Sequence, residues 1–171
     1  MKKFWERVLL VFVLSSTAII VSCNNGVEPL LPLVNNEVRA TITDYGGFVS
    51  KDAVTQFDGS NYIVKAGIKG ESGDDTIVVT LVVPKKSNPP YTITVQSDPT
   101  AQIDLCIQQT TGSCINYDAK QGLGSGSISV SSISSDGANM IMEGTYNGTL
   151  QPSAGSGTKA VTDGEFKVIL P

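Results

Sequence analysis

From Glu37 to the carboxyl end, apolar residues recur at every second position, and this period constrains the fold more than any other feature. Such alternation puts successive side chains on opposite faces of a strand, whereas a helix needs a period near 3.6. Val38, Ala40 and Ile42 alternate with Arg39, Thr41 and Thr43. Tyr62, Val64, Ala66 and Ile68 oppose Lys65 and Lys69. Residues 76–83 are apolar on both faces, as a central strand requires. Ile103, Leu105 and Ile107 oppose Asp104, Cys106 and Gln108, and Phe166, Val168 and Leu170 close the chain. Shorter strands are expected at 54–57, 91–95 and 115–117. A longer one over 140–150 turns Met140, Met142, Tyr146 and Leu150 to the core. Ile133 falls out of phase with Ile128 and Val130, which predicts a bulge near Ser131-Ser132.

Turn chemistry separates these segments at Asp44-Tyr45-Gly46-Gly47, Asp58-Gly59-Ser60-Asn61, Thr110-Thr111-Gly112 and Asp136-Gly137. About nine to eleven short strands with no amphipathic helix predict an all-β fold, an antiparallel β-sandwich. A lipocalin-like closed β-barrel is the alternative. One face of most strands is apolar and the other rich in Thr, Ser and Asn, which suits a sheet with one face in water.

The first residues are of a different kind. Lys2, Lys3 and Arg7 precede an apolar run over 8–21, followed by small Ser22 and then Cys23. The run is about fourteen residues long, short of the roughly twenty that cross a bilayer as a helix. Ile20-Val21-Ser22-Cys23 resembles the lipobox of bacterial lipoproteins. The resemblance implies that 1–22 is a signal peptide, that the Cys23 thiol carries a diacylglycerol, and that the new amine is acylated after cleavage. Residues 23–36 then read as a lipidated cysteine and tether, stiffened by Pro29 and Pro32, and 37–171 as one β domain. Leu30, Leu31 and Leu33 would either cover an edge of that domain or rest at the membrane interface. Asn24 follows Cys23 where an Asp commonly marks inner-membrane retention in enteric bacteria, so the resemblance favours the outer membrane, on its periplasmic face or at the cell surface.

Charge and missing residue types narrow the function. Loss of the leader removes three basic residues and one acid, turning a net charge of −4 into about −6. An acidic chain with no basic cluster argues against nucleic acid, whose binding needs Lys and Arg to displace counterions. Histidine is absent, so no Ser-His-Asp or Cys-His catalysis and no His-ligated metal is available. No cofactor motif is present.

Cys106 and Cys114 fall on the polar face of two strands joined by a short turn, where they can come within bridging distance. An oxidising compartment would keep such a disulfide. Asp74 and Asp75 form a weak calcium candidate, read against a simple solvated turn. Gly122-Leu123-Gly124-Ser125-Gly126 precedes a strand, not a helix, and reads as a linker instead of a phosphate cradle. Asn147-Gly148-Thr149 matches a glycosylation sequon, which carries little weight beside a bacterial lipobox.

The stretches Gly126-Ser127-Ile128-Ser129-Val130, Met142-Glu143-Gly144-Thr145-Tyr146-Asn147-Gly148-Thr149-Leu150 and Thr162-Asp163-Gly164-Glu165-Phe166 together resemble an uncharacterised family of small β-rich bacterial lipoproteins. That resemblance covers about residues 114–170 and implies fold and envelope location only. The expected function is a lipid-anchored, non-catalytic binding or structural module of the cell envelope with a protein or glycan partner. The alternatives are a lipocalin-like carrier of a small apolar ligand and a carboxylate-only glycan hydrolase.

Overall fold

Every alternating segment forms a strand, in a computed structural model that describes residues 31–69, 75–109, 112–154 and 156–171. The strands are β1 (Glu37–Ile42), β2 (Gly46–Ser50), β3 (Val54–Phe57), β4 (Asn61–Lys69), β5 (Asp75–Pro84) and β6 (Tyr91–Thr94), then β7 (Gln102–Gln108), β8 (Cys114–Ala119), β9 (Ser125–Asp136), β10 (Asn139–Pro152) and β11 (Lys159–Leu170). All pairings between them are antiparallel. The fold is all-β, and no helix occurs among the described residues.

The strands form one curled sheet in two halves. The first half runs β2-β1-β11-β10-β9-β6 and the second β3-β4-β5-β7-β8. β10 joins them: its first part lies between β9 and β11, while Gln151 and Pro152 at its end pair with Asp118 and Tyr117 of β8. The two halves face each other across one core that includes Val38, Phe48, Leu81, Leu105, Ile128, Tyr146 and Phe166. In β5 the side chains Val79, Leu81 and Val83 are buried while Val78 and Val82 are half-buried, so this strand is covered on both faces as its sequence implies.

Turns follow the expected chemistry. The Asp58 carboxylate accepts from the amides of Ser60 and Asn61, at 2.9 and 2.7 Å, which closes the turn between β3 and β4. The three hydrogen bonds from Asn61 and Ser60 also hold the Asp58 carboxyl below the usual carboxylate range. Gly137, at φ +62°, opens the tight turn between β9 and β10, a conformation that favours glycine. The expected bulge is present: Ser132 faces Glu143 and Val130 faces Gly144, leaving Ser131 as the extra residue. A second bulge was not visible in the sequence. Asp163, at φ +52°, sits inside β11, where the register shifts against both β1 and β10. Asp163-Gly164 is therefore a kink within a strand and not an entry turn.

Two glycines on neighbouring strands exchange rings. Gly144 pairs with Phe166, and Gly164 pairs with Tyr146. A Cβ on Gly144 would come within 2.5 Å of Phe166 Cζ, and one on Gly164 within 2.8 Å of the Tyr146 ring. Each aromatic ring thus lies over the glycine opposite it, the arrangement in which a cross-strand aromatic fills the space a side chain vacates.

One apolar expectation needs correction. Met140 is 44 % exposed at the β9–β10 tip, where its sulfur accepts the Ser135 hydroxyl; Met142 is fully buried as expected. The phase was right, but the strand outruns the core by one pair. Leu31 is 77 % exposed and Leu33 half-buried; Leu30 lies outside the described residues.

Candidate functional site

The outer face of the first half is a carpet of hydroxyl and amide side chains. Because one face of each strand packs inward, the register aligns the other face into ranks. Thr92, Ser129 and Thr145 form one rank across β6, β9 and β10, and Thr94, Ser127 and Asn147 the next. Hydrogen bonds knit neighbours together: Thr92 and Ser129 hydroxyls meet at 2.8 Å, and Ser127 donates to Asn147 Oδ1 at 3.4 Å.

At the second rank the surface sinks into an open groove of about 530 Å³, crossing from the end of β6 over β9 and β10 to the start of β11. Thr94, Gln96, Ser125, Ser127, Asn147, Thr149 and Thr162 supply its polar walls, and Gly126, Gly148, Ala160 and Val161 lie between them. Close approach of the two strands explains the glycines. A Cβ on Gly126 would stand 2.6 Å from the Asn147 carbonyl oxygen of β10 and 3.0 Å from Ile103 Cδ1 of β7, and one on Gly148 would stand 2.9 Å from the Ser125 carbonyl oxygen. Gly126 is therefore a strand residue chosen for close approach, not part of the flexible linker read from its sequence. Gln96 fixes the groove's end by donating to the Gly124 carbonyl at 2.8 Å. The hydroxyls of Thr94, Ser125 and Thr149 make no hydrogen bond among the described residues and face solvent.

No lining residue carries a charge. The groove was not legible in the sequence, because it depends on the register of strands far apart in the chain. Asn147 and Thr149, the ends of the sequon, were the only hint of it. A second concavity, about 320 Å³, differs in kind: Lys65 and Lys69 line it together with Asp52, Val54 and Gly67.

The residues singled out beforehand fall in several places. Cys106 and Cys114 form a disulfide with Cα atoms 5.7 Å apart, on the outer face of β7 and β8 as their alternation implies. Cys23 and Asp74 lie outside the described residues, and of Asp75 only the backbone at the start of β5 is described. Among the described residues no three metal-ligating side chains cluster.

The structure adds a carboxyl pair. Asp104 on β7 and Asp118 on β8 are register partners. Gln102 donates to Asp104, while Asp118 accepts from Ser153 Oγ at 2.7 Å and Lys120 Nζ at 3.2 Å. Burial, and then the Asp118 carboxylate beside it, push the Asp104 carboxyl up to about 6. A catalytic dyad would have to open both oxygens to a cleft. Here Asp118 is only 6 % exposed and its partners belong to the seam where β10 meets β8. The pair is structural, and it has a pH signature. The folded state holds the Asp104 proton more tightly than the unfolded chain, whose aspartates titrate near 3.9. Stability is therefore lost as the pH rises from about 4 through about 6, and stays lost above. Asp104→Asn is expected to raise stability at pH 7.5 by about 1 kcal/mol, allowing for partial solvent screening, and to change nothing at pH 4. Thermal melts of both proteins at the two pH values check this; an equal gain at both would show that the pair's charge is irrelevant.

Comparison of the chain with protein-family models, curated proteins and solved structures finds no match in any of the three.

Proposed function

We propose that this chain is a lipid-anchored protein of the bacterial cell envelope, held by acyl chains on Cys23, whose β domain is a non-catalytic binding module. The observation that carries the reading is the uncharged groove on the β6–β9–β10–β11 face, with the solvent-facing hydroxyls of Thr94, Ser125 and Thr149 that have no hydrogen-bond partner among the described residues. Open polar concavities with unpaired donors and acceptors are where a ligand can gain hydrogen bonds that the apoprotein leaves to water. The anchoring half of the proposal rests on the lipobox resemblance at Ile20–Cys23; one acyl chain binds a membrane marginally, and two or three hold it firmly.

Two features support binding over the other readings. A carrier of an apolar ligand calls for an enclosed chamber, whereas the interior between the two halves is occupied by one continuous cluster of side chains. A glycan hydrolase needs two carboxyls about 5–10 Å apart across a cleft. Asp104 and Asp118 are instead register partners on adjacent strands, and Asp118 is buried under Ser153 and Lys120, not open to a cleft.

The test uses the full chain made in a bacterium that lipidates its own lipoproteins. The wild type is expected to incorporate an alkyne-tagged palmitate and to sediment with membranes, and Cys23→Ala to do neither. A photo-crosslinking residue at Ser127 is expected to capture an envelope component that the same residue at Lys65 does not. Labelling of the Cys23→Ala protein would refute the anchor, and identical capture from both positions would refute the groove.

A further inference from the structure

The groove's chemistry points to one class of ligand, and this step rests on the binding-module reading above. Seven polar side chains line it: three with a hydroxyl beside a methyl (Thr94, Thr149, Thr162), two with a hydroxyl alone (Ser125, Ser127) and two with a carboxamide (Gln96, Asn147). Together they offer donors and acceptors in neutral form. A phosphate, sulfate or carboxylate ligand would find no Lys or Arg there, although the chain carries 12 such residues elsewhere. A cationic ligand would find no carboxylate. An extended peptide that joins a sheet needs free main-chain groups at an edge. The groove crosses β9 and β10 in the interior of the sheet, where Gly126 and Gly148 pair with each other and their strands are flanked by β6 and β11.

Threonine methyls, Ala160 and the glycine main chain add small apolar patches among the hydroxyls. That mixture matches a molecule with alternating C–H and O–H groups on a rigid frame. The neighbouring rank of Thr92, Ser129 and Thr145 continues the same surface beyond the groove, so the site suits a chain rather than a single ring. We infer that the groove binds a neutral polysaccharide, with Ser127 and Asn147 at its centre and Thr94 and Thr162 at its two ends.

The test is calorimetric titration of the detergent-solubilised full chain with neutral hexasaccharides of glucose in α-1,4, β-1,4 and β-1,3 linkage, of β-1,4 xylose and of N-acetylglucosamine. Hexagalacturonate, uniformly acidic, is the control, since Lys65 and Lys69 would be its natural contacts. At least one neutral hexasaccharide is expected to bind with a Kd of about 1 mM or tighter and the acidic one not to. Asn147→Asp and Ser127→Asp keep the outward position and add a charge; each is expected to weaken binding about tenfold or more with an unchanged thermal midpoint. Failure of every neutral sugar, preference for hexagalacturonate, or binding indifferent to both substitutions would overturn the inference. If Ser127 crosslinks to an envelope protein while no sugar binds, the glycan is wrong and the binding module stands. If neither occurs, both fall.

Discussion

Gly144→Ala is expected to destabilise the domain by about 3 kcal/mol, at the upper end of what overpacking costs, and to lower the thermal midpoint by about 10 °C. The new methyl would overlap the Ser129 carbonyl oxygen and press on Phe166. The ring can tilt, but the carbonyl cannot, because Ser129 is held in the ladder between β6 and β10. Relief requires separating β9 from β10 at the Ser131 bulge, where the two strands already shift register. Gly47→Ala is the control: nothing lies within 4 Å of its Cβ position, so its midpoint should scarcely move. Equal effects at the two sites would show that the cost at Gly144 is a general glycine effect and not the contact with Ser129.

The second large effect concerns the disulfide. Cys106 and Cys114 are separated by 8 positions, so the bridge closes a small loop and stabilises chiefly by restricting the unfolded chain, by about 2.5 kcal/mol. The double substitution Cys106→Ser with Cys114→Ser is expected to lower the thermal midpoint by about 5–10 °C. A reducing agent should reproduce that shift in the wild type and leave the double variant untouched. A wild-type midpoint indifferent to reduction would mean that the hairpin alone already holds β7 to β8. The bridge lies on the solvent side of those strands, so its loss opens no cavity in the core and the groove, carried by β6, β9, β10 and β11, should keep its ligand affinity.

Local features of this fold were legible because they follow from local rules. The period of two located the strands, the phase slip at Ile133 located the Ser131 bulge, and outward parity put Cys106 and Cys114 on one face. What escaped depends on partners remote in sequence. Asp118 stands opposite outward-facing Asp104 on its neighbouring strand, yet it is buried, because Ser153 and Lys120 close over it at the β8–β10 seam. Gly126 looked like part of a linker because the groups that require a glycine there, the Asn147 carbonyl oxygen and the Ile103 side chain, are remote from it in sequence. Met140 has core composition but stands at a ribbon tip with nothing above it. The groove is the extreme case: its walls come from four segments spanning residues 94–162, and no single one of them carries a signal.

β11 is not at the margin of the sheet. It lies between β1 and β10, with Glu37 of the first strand opposite Lys167 of the last. Until residues 159–170 are available, β1 and β10 each present an unpaired row of main-chain groups, guarded only by Glu37 and Arg39 on β1 and by Glu143 and the terminal Pro152 on β10. Every copy of the protein therefore passes through a stage with two open edges, from which only synthesis of residues 159–170 releases it. Termination before residue 159 would not yield a slightly shortened domain. It would yield a species that pairs with its own kind, and disposal of such fragments becomes a task for the cell's chaperones and proteases.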